Sequence, residues 1–211
     1  MKNSNEIYMP SNIGPNKYGL LLLFVALFTI NFKAFANEAQ ETALAVVGEV
    51  DLNKYQGQWF EIASIPVKFQ AQCFGGTTAE YQLLNDGLIK VVNTCTTSKG
   101  ESDAVEGRAK VVTPPAKLKV TFVKILTWIW AFGGAYWIID LAPDYSYAVV
   151  GHPSRDYLWI LSRTPNMTTD LLKSISQKLT NLGYDTCRVL VTPQNGQLAP
   201  VEQREKLCQL N

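Results

Sequence analysis

Histidine is almost missing from this chain: His152 is the only one in 211 residues. A catalytic nucleophile needs an adjacent base, and no Ser-His-Asp signature surrounds His152, which sits beside Pro153 as a surface-loop residue does. Net charge is nearly missing too, at a formal +1. A nucleic-acid binder shows a basic excess, so no nucleic-acid partner is expected. There is no Cys-x-x-Cys, no phosphate-cradling glycine motif and no clustered metal-ligand spacing. Zinc and thioredoxin chemistry are therefore unsupported, and no metal or cofactor is implied. Long apolar runs are also lacking. The longest, 20–30, is shorter than the ~20 residues a transmembrane helix needs.

That run has a different use. Lys17 precedes it, and Ala34-Phe35-Ala36 supplies a small-x-small cleavage pattern. Residues 1–36 read as a secretory signal peptide cut after Ala36, with Met1 or Met9 as the start and an uncleaved anchor as the alternative. Export to the periplasm, with outer-membrane association as a variant, is the expected destination. No cysteine follows the run, so a lipidated N-terminal cysteine is not expected. The exported part holds Cys73, Cys95, Cys187 and Cys208. An even count in an oxidising compartment implies two disulfides, with three pairings open. The remaining length suits one domain of roughly 150 to 200 residues. It divides into an arm at 37–50, a folded body at 51–192 and a tail at 193–211.

The body reads as strands. Leu52 to Tyr55 makes a helical turn, and Gly57-Gln58-Trp59 hands the chain to a strand at 59–65, which Pro66 stops. Strands follow at 77–84 and 88–96 around an Asn85-Asp86-Gly87 turn. Placing Leu84 opposite Leu88 puts Tyr81 opposite Val91 and Ala79 opposite Asn93, with Glu80, Gln82 and Lys90 on the wet face. Strands at 105–112 and 117–124 alternate cleanly, with Glu106, Arg108, Lys110, Lys117 and Lys119 outward. Pro114-Pro115 turns between them. Segment 125–132 breaks the pattern and is nearly all apolar. Further strands read at 135–141, 145–151 and 156–162. A helix at 166–181 is capped by Thr168 or Thr169 and stopped at Gly183. A short strand at 186–191 follows.

Eight strands joined in sequence, then one helix, make an all-β, up-and-down antiparallel barrel; closure removes its edges. The strand at 156–162 is apolar on both faces, so the helical stripe of Leu171, Leu172, Ile175 and Leu179 should cover it from outside. A membrane barrel would be apolar outside, and this one is charged there. The hairpin register brings position 95 near Cys73, favouring Cys73–Cys95 with Cys187–Cys208.

Three signatures stand in order: Gly57-Gln58-Trp59-Phe60-Glu61-Ile62, the Pro143-Asp144-Tyr145 turn, and Asp156 through Pro165 with Trp159, Arg163 and Thr164. With Thr77-Thr78-Ala79-Glu80-Tyr81 and Val91-Val92-Asn93, the stretch 46–191 resembles the lipocalins, and within them the bacterial branch allied to apolipoprotein D. The resemblance implies that Trp59 and Arg163 meet at a closed base, with Gly57, Asp144 and Tyr145 there as structure. It also implies a fatty acid or lysophospholipid ligand and a role in envelope lipid storage or maintenance. Barrel-to-tail bridges in related lipocalins keep a pairing of Cys73 with Cys187 or Cys208 open.

Alternation assigns the interior to Glu61, Ala63, Tyr81, Asn93, Val120, Phe122, Tyr136, Ile138, Val150, Tyr157 and Trp159, an apolar wall with few polar atoms. These side chains either line a cavity or fill the core. Glu61 needs a partner if buried, supplied by Asn93, a tyrosine, water or a ligand headgroup. Asp140 raises the same question. Connections that follow odd strands surround the mouth, which brings Phe69, Leu126, Trp128, Ile129, Trp130 and Phe132 there. Such an apolar patch marks a membrane contact, a homodimer contact or a lid over the barrel. The chain reads as a binding protein rather than an enzyme; an isomerase-like activity using Glu61 or His152 is the alternative.

Overall fold

Antiparallel pairing runs unbroken around one sheet. The computed structural model describes residues 43–113 and 116–210. The expected signal peptide, its cleavage site and the Pro114-Pro115 turn lie outside the described residues. α1 (Leu52–Tyr55) precedes β1 (Gly57–Ser64), β2 (Gly75–Leu83), β3 (Ile89–Thr96), β4 (Ser102–Thr113) and β5 (Lys117–Thr121). Then come β6 (Gly134–Leu141), β7 (Tyr147–Gly151), β8 (Leu158–Ser162), α2 (Thr169–Asn181) and the two-residue β9 (Leu190–Val191). Strand order is β2-β3-β4-β5-β6-β7-β8-β1-β9, and an additional β2–β1 pairing closes the barrel. The β2–β3 register joins Tyr81 to Val91 and Ala79 to Asn93, as the turn at 85–87 requires.

Two apolar layers result. The inner one gathers Trp59, Tyr81, Val91, Ala109, Leu118, Ile138, Val150 and Leu161. The outer one lies between barrel and helix, where Leu172, Ile175 and Leu179 meet Ile62, Ile139, Val149, Leu158 and Ile160. Full burial of each such side chain contributes about 1.5–3 kcal/mol, so the helix is held by its apolar stripe. Thr168 caps α2 by accepting from the Leu171 N–H. Helix geometry begins at Thr169, later than Asn166, because Thr168 is extended.

Two irregularities break the expected alternation. β1 shifts register against β8 between Glu61 and Ala63, so Glu61 faces Leu161 while Ala63 faces Ile160. Ala63 therefore joins the helix-side layer, which corrects its placement on the inner wall; Ser64, opposite Trp159, turns inward instead. A bulge adds one residue, and with a side-chain period of two that reverses every face beyond it. β6 does the same between Ile138 and Asp140. Ile138 points inward, whereas Asp140 turns out toward α2, accepting from Lys178 Nζ at 2.7 Å and the Tyr147 hydroxyl at 3.2 Å.

The expected strand at 186–191 shortens to Leu190–Val191 because Thr186–Arg188 forms a 3-10 turn capped by the Asp185 carboxylate. Both disulfides take the favoured pairing, Cys73–Cys95 and Cys187–Cys208. The second ties the tail down. β1 pairs β2 only through Gly57–Phe60, and above that the tail fills the gap. Gln194 Nε2 donates both to Glu61 O (2.8 Å) and to Thr77 O (3.0 Å). Gly75 leaves room for this: a Cβ there would strike the Pro193 and Gln197 carbonyls.

Candidate ligand-binding site

The floor of the barrel is built by α1. Leu52 and Tyr55 lie three residues apart, so one face of this single turn enters the barrel. Trp59 lies fully buried beside Tyr55, its Nε1 donating to Tyr55 O at 2.8 Å. Arg163 closes the base from outside. Its guanidinium carbon is 3.8 Å from the Trp59 ring centroid, and its nitrogens donate to Gln58 O (2.9 Å) and Lys54 O (2.7 Å). Stacking of this kind is worth about 0.5–2 kcal/mol. The Tyr145 hydroxyl accepts from Asp51 N–H and Asp144 Oδ1 from Ser146 N–H, so both residues fix turns at this end.

Above the floor three tyrosine hydroxyls form a chain. Tyr136 donates to Tyr81 at 2.9 Å, and Tyr55 and Tyr136 are 2.8 Å apart. A hydroxyl has one proton, so with Tyr136 donating to Tyr81, Tyr55 donates to Tyr136. Burial in an apolar wall pushes Tyr55 and Tyr136 well above the ordinary phenol value and Tyr81 to about 12. These tyrosines line a cavity with Leu52, Gln56, Leu83, Ile89, Val91, Leu118, Val120 and Ile138; its free volume is ≈ 20 Å³, water-sized. Higher up, Asn93, Val120, Phe122 and Trp159 lie inside the barrel yet are only half-buried, so solvent reaches them through the mouth. The Phe122 ring lies over Gly107, where a Cβ would come within 2.6 Å of it. Asn93 shares the inner face with Ala79, and its amide meets no hydrogen-bond partner among the described residues.

Glu61 is buried, but its carboxylate faces the seam with the tail. It accepts from Thr192 Oγ1 (2.7 Å), Ser64 Oγ (2.9 Å) and Gln70 Nε2 (3.2 Å). Neither Asn93 nor a tyrosine bonds it. Tyr157 does not line the wall either: β8 begins only at Leu158, and Tyr157 is 37% exposed, stacked near Trp159 and edge-on to His152. His152 Nδ1 is engaged by Ser154 within a turn, and burial lowers its pKa. Val150 is fully buried on the inner face.

The β5–β6 connection departs from expectation. Phe69, Leu126 and Phe132 are exposed, Leu126 at 93%. Trp128, Ile129 and Trp130 do not stand free at the mouth; they are half-buried against the outside of the barrel. A bridge between Lys124 and Trp128 folds the segment back, and Thr121 Oγ1 holds Ile129 O at 3.0 Å. The tryptophan rings then lie over Arg108 and Lys110, cations that alternation on β4 had already turned outward.

Sequence reasoning missed Leu52, Tyr55 and Gln56 as cavity residues; the i, i+3 spacing of Leu52 and Tyr55 was the available signal. It also missed Thr192 and Gln194, for which tail composition offers none.

An eight-stranded closed meander with a base-closing Trp59–Arg163 stack and an external helix sets the architecture. The Lipocalin-like domain family matches residues 50–194. The chain is a lipocalin. This lipocalin is 40% identical over 160 residues to temperature-induced lipocalin-1 of Arabidopsis thaliana, covering 74% of this chain and 86% of that one. It is 33% identical over 181 residues to outer membrane lipoprotein Blc of Escherichia coli K12, covering 83% and 98%. Insecticyanin from the tobacco hornworm Manduca sexta shares the lipocalin's fold at a TM-score of 0.56, with 22% identity over 71% of this chain and 83% of its own.

Proposed function

We propose that this lipocalin binds a fatty acid or lysophospholipid in its barrel and stores or carries it for maintenance of the cell envelope. The observation that carries this reading is the composition of the inner wall: predominantly apolar, with Gln56 and the tyrosine hydroxyls below and the Asn93 amide and Trp159 Nε1 above as its polar groups. The acyl chain runs down the wall of Val120, Phe122, Ile138 and Val150, and the headgroup stays near the mouth, within reach of Asn93. Because the free space at the floor is water-sized, chain entry requires Phe122 or its neighbours to swing aside. The protein works after export, in the periplasm or at the outer membrane; its two disulfides and its similarity to proteins named outer membrane lipoproteins support that setting. Its exposed mouth residues make a peripheral membrane contact through which ligand is exchanged.

Displacement of a fluorescent fatty acid tests the reading. Each added methylene contributes ~0.8 kcal/mol, so affinity should rise about fourfold per carbon until the barrel is full. Asn93→Leu should weaken acids more than the corresponding alkanes. Affinity independent of chain length, or no displacement at all, would overturn the assignment.

A further inference from the structure

The outside of the barrel over β4, β5 and the start of β6 carries positive charge beyond what folding asks for. Lys90 lies opposite Arg108 and Lys110 opposite Lys119, and Lys117 follows on the same face. Lys124 joins them from the β5–β6 connection. Glu106 is the one acid described on the outward faces of β4, β5 and the start of β6, with Glu80 beyond it across Val92, and it is already shared between Lys90 (3.4 Å) and Arg108 (2.7 Å). Like charges placed directly opposite each other destabilise a sheet. Among the described residues neither Lys110 nor Lys119 has an ion pair to offset that cost.

The same wall carries tryptophans. Trp128 lies over Arg108 at 4.8 Å, Trp130 over Lys110 at 4.5 Å and Trp137 over Lys117 at 4.1 Å. At its edge Ile125 is 77% exposed, Leu126 93% and Phe132 73%. Exposed apolar side chains beside a cationic surface need a partner that is anionic at its face and apolar beneath.

We propose that this wall docks on an anionic phospholipid bilayer. Its lysines meet headgroup phosphates, its tryptophans lie at the interface, and Ile125, Leu126 and Phe132 enter the acyl boundary. A nucleic acid offers the anions but no apolar layer below them. A two-fold copy would set Lys110 and Lys119 against their own like. The proposal deepens the membrane contact in the proposed function by giving it a face and a charge requirement, and it is separable from ligand binding in the barrel.

Co-sedimentation of the folded, oxidised protein with two kinds of vesicle tests it: phosphatidylcholine alone, and phosphatidylcholine mixed with phosphatidylglycerol. Both are run at low and high NaCl, with fatty-acid displacement measured in parallel. Binding should require phosphatidylglycerol and fall with salt. A basic residue at such a surface is worth about a fivefold change in affinity, so Lys119→Glu, which removes one cation and adds one anion, should weaken binding about 25-fold. The same variant places an ion pair opposite Lys110, so its melting temperature should hold or rise, which separates lost docking from misfolding. Equal binding to both vesicles, an unaffected Lys119→Glu, no vesicle binding, or a dimer that Lys119→Glu dissolves would each overturn the proposal. Failure of fatty-acid displacement in the unaltered protein would instead sink the carrier reading and leave this surface to the vesicle result.

Discussion

Removing the Tyr136 hydroxyl tests whether the barrel floor holds a directional hydrogen-bond chain. In Tyr136→Phe two bonds go: the one accepted from Tyr55 at 2.8 Å and the one donated to Tyr81 at 2.9 Å. Each neutral bond contributes about 1 kcal/mol net, and a donor stranded in an apolar wall costs about 1–3 kcal/mol. Tyr55 keeps its proton and loses its acceptor, so the loss should reach roughly 2–4 kcal/mol. Tyr55→Phe is the control. It removes one bond and strands no proton, because Tyr136 still donates to Tyr81; its cost should stay near 1 kcal/mol. Equilibrium urea unfolding, followed by tryptophan fluorescence with the disulfides intact, measures both. Unchanged m-values would show that the denatured reference is shared. Equal losses in the two variants, or a loss below about 1 kcal/mol in Tyr136→Phe, would refute the directional chain.

Two further expectations follow from the same geometry. Tyr81 is raised to about 12 by burial, so the folded state holds its proton after the unfolded state has lost it. Stability from this group is complete below about pH 10 and declines as the pH rises through 12; absorbance at alkaline pH should show the buried tyrosines ionising only with unfolding, and early ionisation would contradict their burial. Glu61→Gln should lower stability by about 2–4 kcal/mol, since three donors meet its carboxylate, while leaving fatty-acid displacement within about twofold. A large loss of affinity without a loss of stability would place Glu61 in the ligand site instead.

Local sequence decided what local physics controls. Residues 85–87 fixed the β2–β3 register, and the alternation of β4 and β5 turned Arg108, Lys110 and Lys119 outward. Apolar positions on both faces of β8 called for the helix that covers Leu158 and Ile160. The same register brought Cys73 to Cys95. Residues 57–59 and 163 carried the family resemblance and meet at the base. Inner-wall positions such as Tyr81 and Val150 were legible from a period of two, because no irregularity lies between them and the turns that set their faces, and Tyr136 and Ile138 were legible because both precede the β6 bulge.

Tertiary structure decided the rest. A bulge inserts one residue and reverses a strand's faces, and no composition marks it between Glu61 and Ala63 or between Ile138 and Asp140. The Glu61 carboxylate found its partners in Ser64, Gln70 and Thr192, the last 131 residues away, because the tail fills a seam that β1 and β2 leave unpaired. The tryptophans of the β5–β6 connection carried an apolar signal in sequence, but cations on β4 fold them onto the outer wall and leave Ile125 and Leu126 projecting. Periodicity reports which face a residue prefers. Which groups meet across that face depends on chain segments far apart in sequence, and only closure of the barrel brings those together.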